Sequence, residues 1–299
     1  MKRGKIIICL MSLAALLTAC SGTAEKTAPA PAASVLSEWT KEQKMELGRQ
    51  HKTAEELYKA LKEQAKGGQK LAWNALPDWS GIYSRPPLNG FTFDPAQPEG
   101  GLPTAKLTPE FHEKMMKRIS DLKKGIEWDP ISACSPPGVP RWLTEPFTRE
   151  WIVTPNETWL INEMVNDIRR VYTDGREHIP VEDRIPTPNG DSIGFWDGSK
   201  LVMHTNQLQA GIYQRGNPDY TDQVETVEIW HKTDDKTLGV DVWVYDPPAL
   251  AEPWYVHQAY GKLSDPVRIQ YWNCGENPNN AVFQNKAGTT EFRKLDFGK

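Results

Sequence analysis

Apolar positions along this chain change their spacing three times. From Ile6 to Leu17 they run almost unbroken, too short a stretch to cross a bilayer core. Met45, Ala54, Leu57, Tyr58, Leu61 and Ala65 then recur at helical spacing, which predicts a helix over 37–68, with Ser37 as its cap and Gly67-Gly68 as its stop. Phe111, Met115, Ile119 and Leu122 trace a second apolar stripe after Thr108-Pro109-Glu110, predicting a helix over 109–124. Beyond Cys134 the period becomes two.

The period-two segments predict strands at 151–153, 158–163, 168–173, 193–196, 200–205, 224–231, 237–245, 254–260 and 267–272, with a further short strand near 79–84. Asp197-Gly198 suits a tight hairpin turn. Leu238, Val240, Val242 and Val244 alternate with Gly239, Asp241, Trp243 and Tyr245, a pattern with one clean apolar face. Many short strands with no long helices between them select a barrel or sandwich over a parallel α/β sheet. With 12 Trp and 9 Tyr in the chain, the expectation is a mainly β protein: an antiparallel, aromatic-lined β-barrel over 69–299, with helices at its N-terminal side.

Lys2-Arg3-Gly4-Lys5, the apolar run and Leu17-Thr18-Ala19-Cys20 read together as an export signal ending in the lipobox of bacterial lipoproteins. The expectation is cleavage of residues 1–19, acylation of Cys20, and a flexible Ala/Pro/Ser/Thr tether over 20–36. Ser21 after the cysteine favours outer-membrane sorting, facing the periplasm. Loss of three basic residues takes the formal charge from −4 to −7, and no basic cluster offers a nucleic-acid footprint. Only Cys134 and Cys274 then remain free in an oxidising compartment, so a disulfide between them is expected.

Several clusters could carry chemistry. Asp174, Arg176 and His178 follow Tyr172 at a strand end, as an acid–base pair with an arginine to hold an anionic group. The same residues also fit a plain Asp174-Gly175 turn in which Arg176 pairs with a neighbouring acid. Glu163, Glu228 and Asp246 sit within or at the end of apolar strands. An inward carboxylate there would act as an acid or base, or would meet Arg169, Arg170 or Arg268 in an ion pair. Gly190-Asp191-Ser192-Ile193-Gly194 matches the serine-hydrolase elbow G-x-S-x-G, but a proline-rich loop precedes it and a hairpin follows, where the elbow needs a strand and a helix. His204, His231 and His257 lie downstream as candidate bases. No zinc, calcium, nucleotide or dinucleotide motif occurs, so no cofactor or metal is called for.

Residues 134–141 (CSPPGVPR), 170–178 (RVYTDGREH), 192–202 (SIGFWDGSKLV), Asp246-Pro247, Pro253-Trp254 and 274–277 (CGEN) resemble a family of secreted proteins and lipoproteins of proteobacteria and acidobacteria. The likeness covers about residues 79–280 and implies export and a common fold, without an activity. Family members often carry His before Ser-Ile-Gly and Arg after the acid at Glu228; this chain has Asp191 and Ile229. The hairpin after Trp196 and the strand entering Asp246-Pro247 are also similar to lipocalin-like barrels. Three readings follow: a barrel binding a small apolar or aromatic molecule through Tyr172, Trp196, Trp230 and Trp243; a cofactor-independent isomerase, hydratase or lyase using Asp174, His178, Arg176, Glu163 and Glu228; or a structural envelope lipoprotein docking partners through its 37–66 helix.

Overall fold

The computed structural model describes residues 38–85, 105–126, 129–213, 218–264, 267–272, 282–284 and 290–292. The export signal, the tether, Cys20 and Cys274 lie outside them. Strands β1 (Ile82–Ser84), β2 (Arg149–Val153), β3 (Glu157–Asn162), β4 (Asp167–Tyr172), β5 (Asp191–Asp197) and β6 (Lys200–Asn206) are followed by a short ribbon of β7 (Gly211–Ile212) and β8 (Asp219–Tyr220). Next come β9 (Glu225–Asp234), β10 (Thr237–Tyr245) and β11 (Trp254–Lys262), then a small pair, β12 (Val282–Gln284) and β13 (Thr290–Phe292). Nine strands close a barrel in the order β1-β11-β10-β9-β6-β5-β4-β3-β2.

The barrel is mixed and not wholly antiparallel. β4 and β5 run parallel and share only Val171↔Ser192 and Tyr172↔Ile193. A hairpin turn would force the antiparallel sense, but here the 173–190 connection crosses over and re-enters beside the end of β4. By contrast β5 and β6 form a tight hairpin with Asp197 opposite Lys200, so the turn residues are Gly198-Ser199, with Gly198 at φ 62.

Alternation places Leu238, Val240, Val242 and Val244 in the core, as the pattern requires. Trp151, Trp230 and Tyr260 share that core, with Trp230 stacked on Tyr260 at 5.5 Å between ring centres and Trp151 5.3 Å from Trp230. The 138–145 segment packs onto the barrel core through Val139, Trp142 and Leu143. Buried Arg149 donates to the carbonyls of Trp142 at 2.5 Å and Glu145 at 2.6 Å, and Tyr260 Oη donates to that of Leu143 at 2.7 Å. Burial lowers the pKa of Arg149; its two terminal nitrogens are taken up by backbone carbonyls, while its Nε is buried without a hydrogen-bond partner.

The predicted 37–68 helix is two: α1 (Lys41–Arg49) and α2 (Ala54–Gln64). Thr40 and Gln43 form a reciprocal capping box, and the Thr53 hydroxyl accepts from Glu56 N at 3.1 Å, so a second cap starts a second helix. Both lie on the outside of the barrel. Leu47, Leu57, Tyr58 and Leu61 bury against Ile193, Phe195, Val202, Val227 and Ile229, each contributing about 1.5–3 kcal/mol. Gly48 permits the close approach, since a Cβ there would sit 2.8 Å from Trp243 Cδ1. Lys44 reaches Asp241 at 2.9 Å, and Asp241 also accepts from Tyr255 and His257. Burial pushes this carboxyl up, but the His257 bond, the Lys44 charge and the Tyr255 hydroxyl together hold it at about 2.

Helix α3 (Pro109–Lys123) buries Phe111, Met115 and Ile119. Thr108 stands at its cap position, yet its hydroxyl donates to Pro248 O at 2.9 Å instead. The strand expected at 267–272 is absent there. Asn166 takes the place of a partner strand, its side-chain amide bonding both N and O of Trp272 at 3.0 Å. Cys134 closes a 3-10 turn in the left-handed region (φ 64) and is disulfide-bonded.

Candidate functional site

Because β4 and β5 pair at only two positions, their seam is open beside Asp167–Arg170. A cleft of about 560 Å³ occupies it, within the size range of small-molecule sites. One wall is β4, with Ile168, Arg169 and Tyr172; the other is the crossover, with Ile179, Ile185, Pro188 and Asn189; Asp191 and Ser192 of β5 complete it. Gly190 lets the crossover enter β5: it stands at φ +63, and a Cβ there would meet Asn206 O at 2.2 Å. Asn189 Nδ2 donates to Asp167 Oδ1 at 2.7 Å, while Asp167 Oδ2 and Asn189 Oδ1 are buried without a hydrogen-bond partner. Burial raises the Asp167 carboxyl above its usual range, against the Asn189 bond.

Arg169 leads from the cleft into the barrel. Its guanidinium meets Glu228 in a bidentate pair at 2.7 and 3.1 Å, and also reaches Thr205 Oγ1 at 2.6 Å and Ser192 Oγ at 3.3 Å. Thr226 Oγ1 at 3.0 Å and Trp230 Nε1 at 2.9 Å donate to the same carboxylate. Glu228 therefore has a full set of donors at no exposure. Elsewhere on the inner wall satisfaction is incomplete: the amide of Gln258 and the indole N–H groups of Trp142, Trp151 and Trp196 are buried with no partner in the protein.

On the outer side, four groups stand in line. Asp191 Oδ2 is 2.7 Å from His178 Nδ1, His178 Nε2 is 2.9 Å from His204 Nδ1, and His204 Nε2 is 3.1 Å from Glu225 Oε2. Tyr58 of α2 stacks on His204. Burial lowers the pKa of His204 against the pull of Glu225. Asp191 lies below its usual range: burial raises it, but the His178 and Ile179 N–H bonds outweigh that.

Among residues singled out from sequence, Tyr172 and Arg176 line the cleft, and His178 stands behind it on Asp191. Asp174 does not meet His178. It pairs with Arg176 at 2.6 Å in an exposed turn, and Arg176 lies 4.0 Å over the Tyr172 ring. Glu163 lies just past β3, not within it, and takes the Thr148 hydroxyl. Glu228 and Trp230 bond each other inside the barrel, and Trp196 packs edge-on against Trp79 at 5.4 Å. Trp243 faces out, under α1, where its indole donates to Lys44 O at 2.7 Å, so it cannot line an interior site. Asp246 accepts from the Thr221 hydroxyl and N–H. Ser192 meets only Arg169 and Thr205 on the inner face, and His204 is on the outer face of β6, so the G-x-S-x-G segment assembles no serine–histidine pair. Asp167, Asn189, His204 and Glu225 complete the cleft and its support. Of these only His204 stood out in sequence, and as a base for Ser192.

Among the described residues no cluster of three His, Cys, Asp or Glu side chains is placed to hold a metal, and no helix is long and apolar enough to cross a membrane. Compared with known proteins, the chain matches no family model and no curated sequence.

Proposed function

We propose that this chain is a lipid-anchored envelope protein of the secreted family its motifs resemble, acylated at Cys20 and facing the periplasm from the outer membrane. Its barrel binds a small apolar or aromatic molecule, and the site is the cleft at the β4–β5 seam. The observation that carries this reading is the cleft itself, about 560 Å³, rimmed by isoleucines that water otherwise meets: Ile168, Ile179 and Ile185 are 46%, 45% and 77% exposed. Apolar groups gathered round a cleft with a few convergent polar atoms are the common design of a small-molecule site.

The line from Asp191 to Glu225 favours a second reading, acid–base catalysis. Every ring nitrogen in it is already engaged, so a substrate in the cleft would exchange its proton with Asp191 and not with an imidazole. The partner-docking reading has less to stand on, because the apolar side of α1 and α2 is spent on the barrel.

Native mass spectrometry of the soluble, non-acylated chain, before and after incubation with a small-molecule extract of the host cell, separates these. A compound retained at unchanged mass supports binding; a component consumed, with a mass-shifted product, supports catalysis. An extract left unchanged and a protein left empty would refute both.

A further inference from the structure

The 174–184 segment carries part of one wall of the cleft, including Arg176 and Ile179, and at its His178 end it is tied to the barrel by the line of four groups. Its far end is tied separately, through Thr187 N to Gln207 O at 3.0 Å. The line contains three hydrogen bonds between four groups and needs three protons. With Asp191 and Glu225 ionised, His178 Nδ1 and His204 Nε2 must each carry hydrogen to donate outward. The central contact, 2.9 Å between two ring nitrogens, then needs a third. Two neutral imidazoles bring only two hydrogens, so the pair holds one extra proton. Moving that proton onto either carboxylate shifts each bond but keeps the count and the net charge of −1. If the proton leaves, no arrangement of tautomers fills all three bonds: two lone pairs face each other, either between the rings or between a ring and a carboxylate.

We propose that the His178 and His204 pair is a latch on the cleft wall, closed by one shared proton and opened by its loss. The proposal rests on reading the cleft as the ligand site. Closed, the latch holds Ile179 beside the cleft, since Asp191 Oδ2 accepts from Ile179 N at 3.1 Å as well as from His178. Open, it leaves this end of 174–184 on the Ile179 N bond, a 3.5 Å bond from Gln207 Nε2 to Ile179 O and the exposed Glu177–Lys62 pair, so the segment loosens about its tie at Thr187. The charged groups facing the pair come from every neighbouring element: Glu55 of α2, itself bridged to Lys59; Glu177 on the segment, near Lys62; Glu225 of β9; and Arg184 opposite Asp191. Acids predominate there, which favours the extra proton, while burial of His204 opposes it.

The test needs no ligand. Imidazole nitrogen shifts, and hydrogen exchange of 174–184 corrected for intrinsic rates, are followed between about pH 5 and 8. Both histidines should change together, and exchange of the segment should rise over the same interval. Glu225→Gln replaces the carboxylate with an amide whose N–H can donate to His204 Nε2, so two neutral imidazoles then fill all three bonds and the segment should stay protected across the whole interval. His204→Phe should leave the segment exchanging fast at every pH. If that variant does not fold, the loss of the transition in Glu225→Gln decides alone. Exchange independent of pH in the parent, or a transition that survives in Glu225→Gln, overturns the latch. Ligand binding that persists without any pH dependence would sink the latch and spare the binding site; a working latch in a chain that binds nothing would do the reverse.

Discussion

Arg169 and Glu228, on β4 and β9, meet inside the barrel in a two-pronged ion pair, at 1% and 0% side-chain exposure. Two charges this deep recover their lost hydration only because Thr205, Ser192, Thr226 and Trp230 use their remaining bonding sites. Removing one partner strands the other. Glu228→Gln or Arg169→Met alone should destabilise by about 3–5 kcal/mol, while Arg169→Met combined with Glu228→Leu should recover most of that loss. Urea unfolding of the four proteins measures it; single variants within about 1 kcal/mol of the parent would show that the pair is not what organises the interior.

Much of this scaffold was legible along the chain. The alternation of 238–244 marks an inward face, whereas the single helix expected over 37–68 with Ser37 as its cap overlooks Thr40-x-x-Gln43 and Thr53-x-x-Glu56, the capping signals that divide it. Other features were not legible, for physical reasons. Period two tells which residues share a face, but Trp243 reads as interior-worthy from its outer position because α1 covers it. Nothing local sets the parallel sense of β4 and β5, so the seam, and with it the cleft, is invisible from sequence. His178 meets Asp191 at 13 residues' distance and His204 at 26, contacts that depend on the crossover and not on spacing.

Acid should loosen α1 before it unfolds the barrel. Asp241 is held at about 2, below an unfolded carboxyl near ~3.9. Its contribution, about 2 kcal/mol, is therefore complete above about pH 4 and fades as pH falls toward ~2. Asp241→Asn should remove this dependence and expose 38–52 to protease at neutral pH. A stability curve whose acid limb is the same in Asp241→Asn and the parent would contradict the assignment.

Anchoring and oxidation have their own readouts. Cys20→Ala should shift the protein from the membrane fraction to the soluble one without changing its fold. Peptide mapping without reductant should find Cys134 joined to Cys274, a link that the chain-entropy estimate values at roughly 4–5 kcal/mol. A Cys20→Ala protein still in membranes, or a free thiol at Cys274, would contradict these two assignments.

The central claim is that the seam cleft binds a small apolar molecule, and filling it tests that most directly. Ile168 sits on the rim, partly exposed, so Ile168→Trp should occupy the opening at little cost to the fold. Titration with the fluorescent aromatic amine N-phenylnaphthylamine should show saturable binding to the parent and at least about tenfold weaker binding to Ile168→Trp, with equal melting temperatures. Equal affinity in both proteins, or no saturable binding to the parent, would contradict the account.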